Sequence, residues 1–174
     1  MQIRNNPAGR NPLTNLFKGT GVELGTERGR YAEKIAQVCD KLYCVDLWKA
    51  YGNYRQHVTS EHYEEIMQSA KDRLAKYNVE LIREDIDKAA ELFEDESLDF
   101  FYLDGNHEEA DVKRNLRSWW DKVKVGGIIS GHDYSGVHGK GVRQAVHDVC
   151  AEKGVEEITV WRGDSSASYH IVKP

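Results

Sequence analysis

The sequence predicts an open α/β fold, doubly wound around a mostly parallel seven-stranded sheet, and three observations carry the prediction. Short apolar runs alternate with helical patterns along most of the chain, several of those runs end on a glycine or an aspartate, and the last two lie close together. Short apolar runs bounded by turn residues read as buried strands, and apolar positions at i, i+4 and i+7 read as the helices that cover them.

In chain order, a strand over 21–24 ends at Gly25 and leads into a helix with Tyr31, Ile35, Val38 and Cys39 on one face. A second strand over 42–45 ends at Asp46. Ser60 is placed to cap a long helix to Tyr77, 79–82 forms a third strand and 86–93 a short helix. A fourth strand over 98–103 ends at Asp104. Val112, Leu116, Trp119, Trp120 and Val123 share one stripe of core-facing residues, which predicts a helix reaching Val123 and closed by Gly126-Gly127. Ile128-Ile129 is the fifth strand, and Val142, Val146 and Val149 mark a last helix ending at Gly154. The runs 157–161 and 168–172 are joined by too few residues for a crossover helix, so they pair as an antiparallel hairpin. The polar stretch 1–19 reads as an N-terminal surface arm, and 20–174 as the folded domain.

A chain of 174 residues can bury a core without disulfides or structural metal. No apolar run approaches the roughly 20 residues a bilayer requires, and nothing apolar follows Arg4 and Arg10 as a secretory signal would demand. No membrane association and a cytoplasmic location are expected. Cys39, Cys44 and Cys150 lack CxxC spacing and read as buried thiols. The net charge of −5, with no Lys/Arg cluster, argues against a nucleic-acid partner. The expected partner is a small-molecule substrate, with a homo-oligomer left open.

In open α/β sheets ligands bind outside the carboxyl ends of the strands. There, Glu23-Leu24-Gly25-Thr26-Glu27-Arg28-Gly29 supplies a glycine turn into a helix, and Asp46 closes the next strand 21 residues beyond Gly25. A carboxylate so placed can accept both ribose hydroxyls of an adenosine; a generic turn and a solvated strand end are the plainer alternatives. Asp104 and Asp133, at the ends of neighbouring strands, can converge on a hard divalent cation or cap loop amides. His107, three residues after Asp104, is a candidate general base or a solvated first-turn histidine. The loop 48–60, with Tyr51, Tyr54, Arg55 and His57, is positioned to cover the ligand.

From Thr20 onward these residues resemble class I S-adenosylmethionine-dependent methyltransferases. Val22-Glu23-Leu24-Gly25-Thr26-Glu27-Arg28-Gly29 looks like their first motif, in a G-T-x-x-G form, and Asp46-Leu47 like their ribose-binding strand end. Glu84-Asp85-Ile86 matches the segment that contacts the adenine ring. The resemblance implies a Rossmann-like sheet of strand order 3-2-1-4-5-7-6 and a cofactor site comprising Glu23, Gly25, Thr26, Gly29, Asp46, Leu47, Asp85, Ile86 and Asp104. The segments Phe100 to His107, Trp119-Trp120, Gly126-Gly127 and Gly131-His132-Asp133-Tyr134 are similar to the small sugar and macrolide O-methyltransferases. That similarity implies O-methylation of a sugar-like or phenolic hydroxyl, with Asp104 and His107 catalytic and Mg2+ or Mn2+ held by Asp104, Asp133 and His132. A nicotinamide-dependent oxidoreductase shares the acid after a glycine turn but demands the GxGxxG that this chain lacks. A cofactor-binding module without catalysis is the third reading.

Overall fold

A strand in a parallel sheet covered on both faces must be apolar on both. The segment Leu98–Leu103 meets that condition: Phe101 and Leu103 pack into one layer of the core, Phe100 and Tyr102 into the other. In the computed structural model, which describes residues 1–50, 57–163 and 165–174, this segment lies inside an eight-stranded sheet. The strands are β1 (Gln2–Asn6), β2 (Thr20–Leu24), β3 (Lys41–Asp46), β4 (Val79–Arg83), β5 (Leu98–Leu103), β6 (Val123–Gly131), β7 (Glu157–Trp161) and β8 (Ser168–Val172). The helices are α1 (Arg30–Ala36), α2 (Ser60–Leu74), α3 (Ile86–Ala89), α4 (Glu109–Trp120) and α5 (Gly139–Glu152). The spatial order is β1-β7-β8-β6-β5-β2-β3-β4. All pairings are parallel except those of β8, which runs antiparallel to β6 and β7.

One core layer packs α3, α4 and α5 against the sheet, with Trp119 and Trp120 buried in it. The opposite layer gathers Tyr31 and Ile35 of α1 with Leu42, Cys44, Phe100 and Tyr102 of the sheet. Its cover is completed from an unexpected source. The stretch read as a surface arm supplies β1, paired in parallel with β7 at the sheet edge, and a 3-10 turn, Asn11–Leu16. Leu13 and Phe17 are fully buried, and Phe17 stacks on Phe100 with ring centroids 4.6 Å apart. The strand count therefore becomes eight, and the expected order gains a strand at its edge. The polar sequence Gln-Ile-Arg-Asn-Asn has no alternation to betray β1, because an exposed edge strand is held by its backbone ladder and not by an apolar face.

Other boundaries shift for local reasons. Thr59, not Ser60, caps α2, its hydroxyl accepting from the His62 amide at 3.2 Å. α4 ends at Trp120, and Val123 opens β6, which takes in both Gly126 and Gly127. The glycines serve an irregularity in the strand instead of closing a helix. Register shifts between Leu98 and Phe100 of the partner strand, and a Cβ on Gly127 would lie 2.7 Å from the Asp99 carbonyl oxygen. α1 stops at Ala36, so Cys39 sits in the following turn and is half-buried, whereas Cys44 and Cys150 are buried; all three thiols are free. Tyr51, Tyr54 and Arg55 of the expected covering loop lie outside the described residues. Among the described residues no helix is long and apolar enough to cross a membrane.

Since Phe17 fills the layer that α1 alone leaves open, Phe17→Ala should lower the unfolding free energy in urea by about 3–5 kcal/mol. Ile3→Ser, on the exposed edge strand, should change it by less than about 0.5 kcal/mol.

Candidate functional site

The direction of strand succession reverses between β2 and β5, and a crevice opens there at the carboxyl ends of the strands. β2 ends in a turn that only glycine fits. Gly25 has φ +93°, and a Cβ on it would lie 2.2 Å from the Asp104 carbonyl oxygen. Backbone bonds tie the turn to both neighbours: Gly25 N–H donates to Val45 O at 2.8 Å, and Asp104 N–H to Leu24 O at 2.8 Å. The Gly25 turn, Asp46 and Asp104 are thereby brought to one rim.

A cleft of about 600 Å³ lies against that rim, lined by Gly25, Asp46, Leu47, Asp85, Ile86 and Asp104. All six were expected at a cofactor site. Asp46 joins two loops, accepting from the Glu27 amide at 2.9 Å on one oxygen and the Trp48 amide at 2.8 Å on the other. Trp48 is buried and donates its indole N–H to Glu27 O at 2.9 Å, which fixes the same pair of loops. Asp85 lines the cleft and also caps α3, accepting from the amides of Asp87 and Lys88. Gly29 does not reach the cleft wall. It is the left-handed N-cap of α1, and its missing side chain admits Leu74 of α2, whose Cδ1 would lie 3.0 Å from a Cβ there.

Beneath the rim, Glu23 and Thr26 are buried, and neither Glu23 Oε2 nor Thr26 Oγ1 makes a well-formed hydrogen bond among the described residues. Burial pushes the Glu23 carboxyl well above its ordinary 4.5; Asp104 and Asp46 add to the rise, while Thr26 and Arg10 oppose it. The Asp104 carboxyl is raised to about 7, chiefly by burial, against the pull of Arg10. Orphaned buried acceptors are costly unless a ligand meets them. With a glycine cradle and a strand-end aspartate on one cleft, they are the features an adenosine cofactor carrying a charged amino-acid head requires, so the residues present fit S-adenosylmethionine.

At the β5–β6 side of the crevice, ligand atoms of Asp104, His107 and Asp133 all lie within 4.8 Å of one another. His107 Nδ1 is 3.2 Å from Asp133 Oδ2, and its ring stacks on His138 with centroids 4.6 Å apart. The expected cation set named His132 with the two aspartates; the structure brings His107 into that place instead. His132 Nδ1 turns toward Ser168 Oγ of β8 at 3.1 Å, while the left-handed φ of +54° at Asp133 swings its carboxylate to Asp104 and His107.

Two features had no signal in the sequence. α4 lends Asp111, Arg114 and Asn115 to the cleft wall, where Arg114 pairs with Asp87 and Asn115 Nδ2 donates to Asp87 at 2.8 Å. These were simply the polar positions of an amphipathic helix. Arg10, far upstream in the 3-10 region, reaches Asp104 at 3.4 Å.

Because the folded state holds Glu23 in a place that disfavours its charge, the contribution of Glu23 to stability should be least unfavourable below about pH 4.5 and worsen as pH rises. Glu23→Gln cannot ionise, so the loss of unfolding free energy between pH 5 and pH 8 should be smaller in the variant than in the unsubstituted protein, measured by urea denaturation at both values.

Residues 22–134, more than half of the chain, match a family described as a methyltransferase domain. In fold, the chain resembles a precorrin 8w decarboxylase from Methanobacterium thermoautotrophicum at 17% identity, with 94% of this chain and 88% of that one covered and a TM-score of 0.65. It also resembles an rRNA methylase from Streptococcus thermophilus, at 13% identity, 94% and 91% coverage and a TM-score of 0.62. An N-methyltransferase from Bradyrhizobium japonicum, in complex with S-adenosylhomocysteine, matches at 14% identity, 95% and 83% coverage and a TM-score of 0.65. No curated protein matches the chain in sequence.

Proposed function

The chain belongs to the methyltransferase-domain family and is an S-adenosylmethionine-dependent methyltransferase, and from that premise we propose that it methylates a hydroxyl of a small, sugar-like or phenolic acceptor. The observation that carries the proposal is the meeting of Asp104, His107 and Asp133 beside the cofactor cleft. A bound cofactor supplies an electrophilic sulfonium methyl; a hydroxyl must lose its proton to be a good nucleophile toward it. His107, oriented by Asp133 through Nδ1, is the group placed to take that proton. Asp133 keeps the imidazole oriented and stabilises the imidazolium that results, as a carboxylate does in any such dyad.

Two carboxylates and an imidazole within 4.8 Å also fit a divalent cation, manganese suiting the nitrogen better than magnesium does. Asp104 and Asp133 would hold it, and it would lower the pKa of the acceptor hydroxyl. The cleft would seat the nucleoside half of the cofactor along Gly25, Asp46, Leu47, Asp85 and Ile86. Holding acceptor and methyl in near-attack geometry accounts for most of the acceleration, roughly 7–11 kcal/mol in well-oriented intramolecular reactions.

The acidic rim supports a small-molecule acceptor over nucleic acid. Asp46, Asp85, Asp104 and Asp111 line the cleft of a chain whose net charge is −5, a surface that repels phosphates. Three free thiols agree with a cytoplasmic setting.

S-adenosylhomocysteine at 100 times its dissociation constant should stabilise the protein by about 2.7 kcal/mol in a thermal-shift assay, while NADH should give no shift. Asp46→Ala should weaken that binding roughly tenfold or more by calorimetry; unchanged affinity would remove Asp46 from the ribose site. In a screen of sugars and phenols for methyl transfer, His107→Ala should cost roughly 10²–10⁴-fold in rate. Thorough chelation separates the two forms of the reading: activity lost, then restored by manganese, supports the cation, and activity retained leaves the His107–Asp133 dyad as the base.

A further inference from the structure

The cleft along Gly25, Asp46, Leu47, Asp85 and Ile86 accounts for a nucleoside, but the other half of the cofactor is an amino acid that carries a carboxylate and an ammonium at neutral pH. The acids around the crevice suit the ammonium and repel the carboxylate. Of the cations beside them, Arg114 is committed to Asp87 and Asp111. We propose that Arg10, carried into the site by the N-terminal segment, binds the carboxylate of the cofactor's amino-acid head, while Glu23 and Asp104 take its ammonium. The inference rests on the cofactor assignment above and extends it to a part of the chain that assignment does not use.

The position of Arg10 is built from both sides. Upstream, the Gly9 amide donates to Arg162 O at 2.6 Å, extending the pairing of β1 with β7; downstream, the Leu13 amide donates to Arg10 O at 3.0 Å as the 3-10 turn begins. Tyr31 of α1 fixes the residue at two points, its hydroxyl donating to Arg10 O at 3.0 Å and its ring lying 4.7 Å beneath the guanidinium carbon. The guanidinium is thus placed at the rim with little freedom left to lose on binding.

Its guanidinium reaches the acids of the crevice. Nη1 is 3.4 Å from Asp104 Oδ2 and 3.5 Å from the Tyr102 hydroxyl, long for charge-assisted bonds, which run about 2.7–2.9 Å. A guanidinium carries five donors in a fork that matches a carboxylate with two parallel bonds. On the acidic side, Glu23 Oε2 and Thr26 Oγ1 are buried without a well-formed bond among the described residues, and Arg10 is close enough to act on the Glu23 charge. A buried carboxyl oxygen and a buried hydroxyl, neither with a well-formed bond among the described residues, beside a guanidinium form a receptor for a zwitterion: acids for the ammonium, a fork for the carboxylate.

The test compares two ligands that share the nucleoside and the sulfur and differ in the head. Calorimetric titration of S-adenosylhomocysteine and of 5′-methylthioadenosine, which lacks the amino acid, is run on the unsubstituted chain, Arg10→Gln and Arg10→Lys, with unliganded melting temperatures recorded for each. Arg10→Gln should weaken S-adenosylhomocysteine roughly 10- to 100-fold and leave 5′-methylthioadenosine within about twofold; Arg10→Lys should recover part of the loss, keeping charge without the fork. Equal weakening of both ligands, or no weakening of either, overturns the role of Arg10 while the cofactor assignment stands. Failure of the unsubstituted chain to bind either ligand overturns the cofactor assignment, and this inference with it.

Discussion

The contact of the Gly25 turn with the backbone of Asp104 is the constraint from which the rest of the site follows. β2 and β5 are distant in sequence but pair in parallel at the point where strand succession reverses, with Leu24 opposite Leu103. That register lays the turn after one strand on the turn after the other, so closely that a Cβ at Gly25 would overlap the Asp104 carbonyl. Any side chain there would push the strand ends apart and widen the crevice. With glycine, the Asp46 and Asp104 carboxyls lie near enough to act on the charge of Glu23.

This crowding of acids has an electrostatic cost that the protein leaves unbalanced. Glu23 and Asp104 both sit where burial disfavours the ionised form, and Arg10 offsets the effect only partly. Structural carboxylates elsewhere in the chain are treated otherwise: Asp99 accepts from the Thr20 amide and pairs with Lys124, which lowers its pKa despite partial burial. The two acids whose charge burial disfavours stand together at one crevice, which makes that crevice the candidate ligand site. The ammonium and sulfonium charges of the cofactor are of the sign such a site attracts.

The N-terminal segment ties these two themes together. Phe17 and Leu13 close the core layer next to Tyr102 and Tyr31, and the same short stretch delivers Arg10 to the rim. Core packing and the placement of Arg10 therefore share a foundation: the aromatic group that buries Phe17 also holds the guanidinium.

The alternation of strands and helices, the hairpin at the end of the chain and the strand-end residues Gly25, Asp46 and Asp104 were all legible in the sequence. Each is written in local spacing, where side-chain period and turn residues act over a few positions. Where the spacing was ambiguous, as in the stripe that ran past Trp120 into Val123, the helix pattern was extended too far because a buried strand start carries the same apolar residue. What only the tertiary structure decided is who meets whom across the crevice. The choice of His107 over His132 beside the two aspartates turned on one left-handed residue, Asp133, whose backbone angle no pattern announces. The eighth strand and Arg10 were invisible for a related reason: β1 is held by backbone bonds to β7, and Arg10 by contacts with Tyr31, Tyr102 and Asp104. Those partners are remote in sequence, and long-range pairing leaves no periodic trace in the segment that makes it.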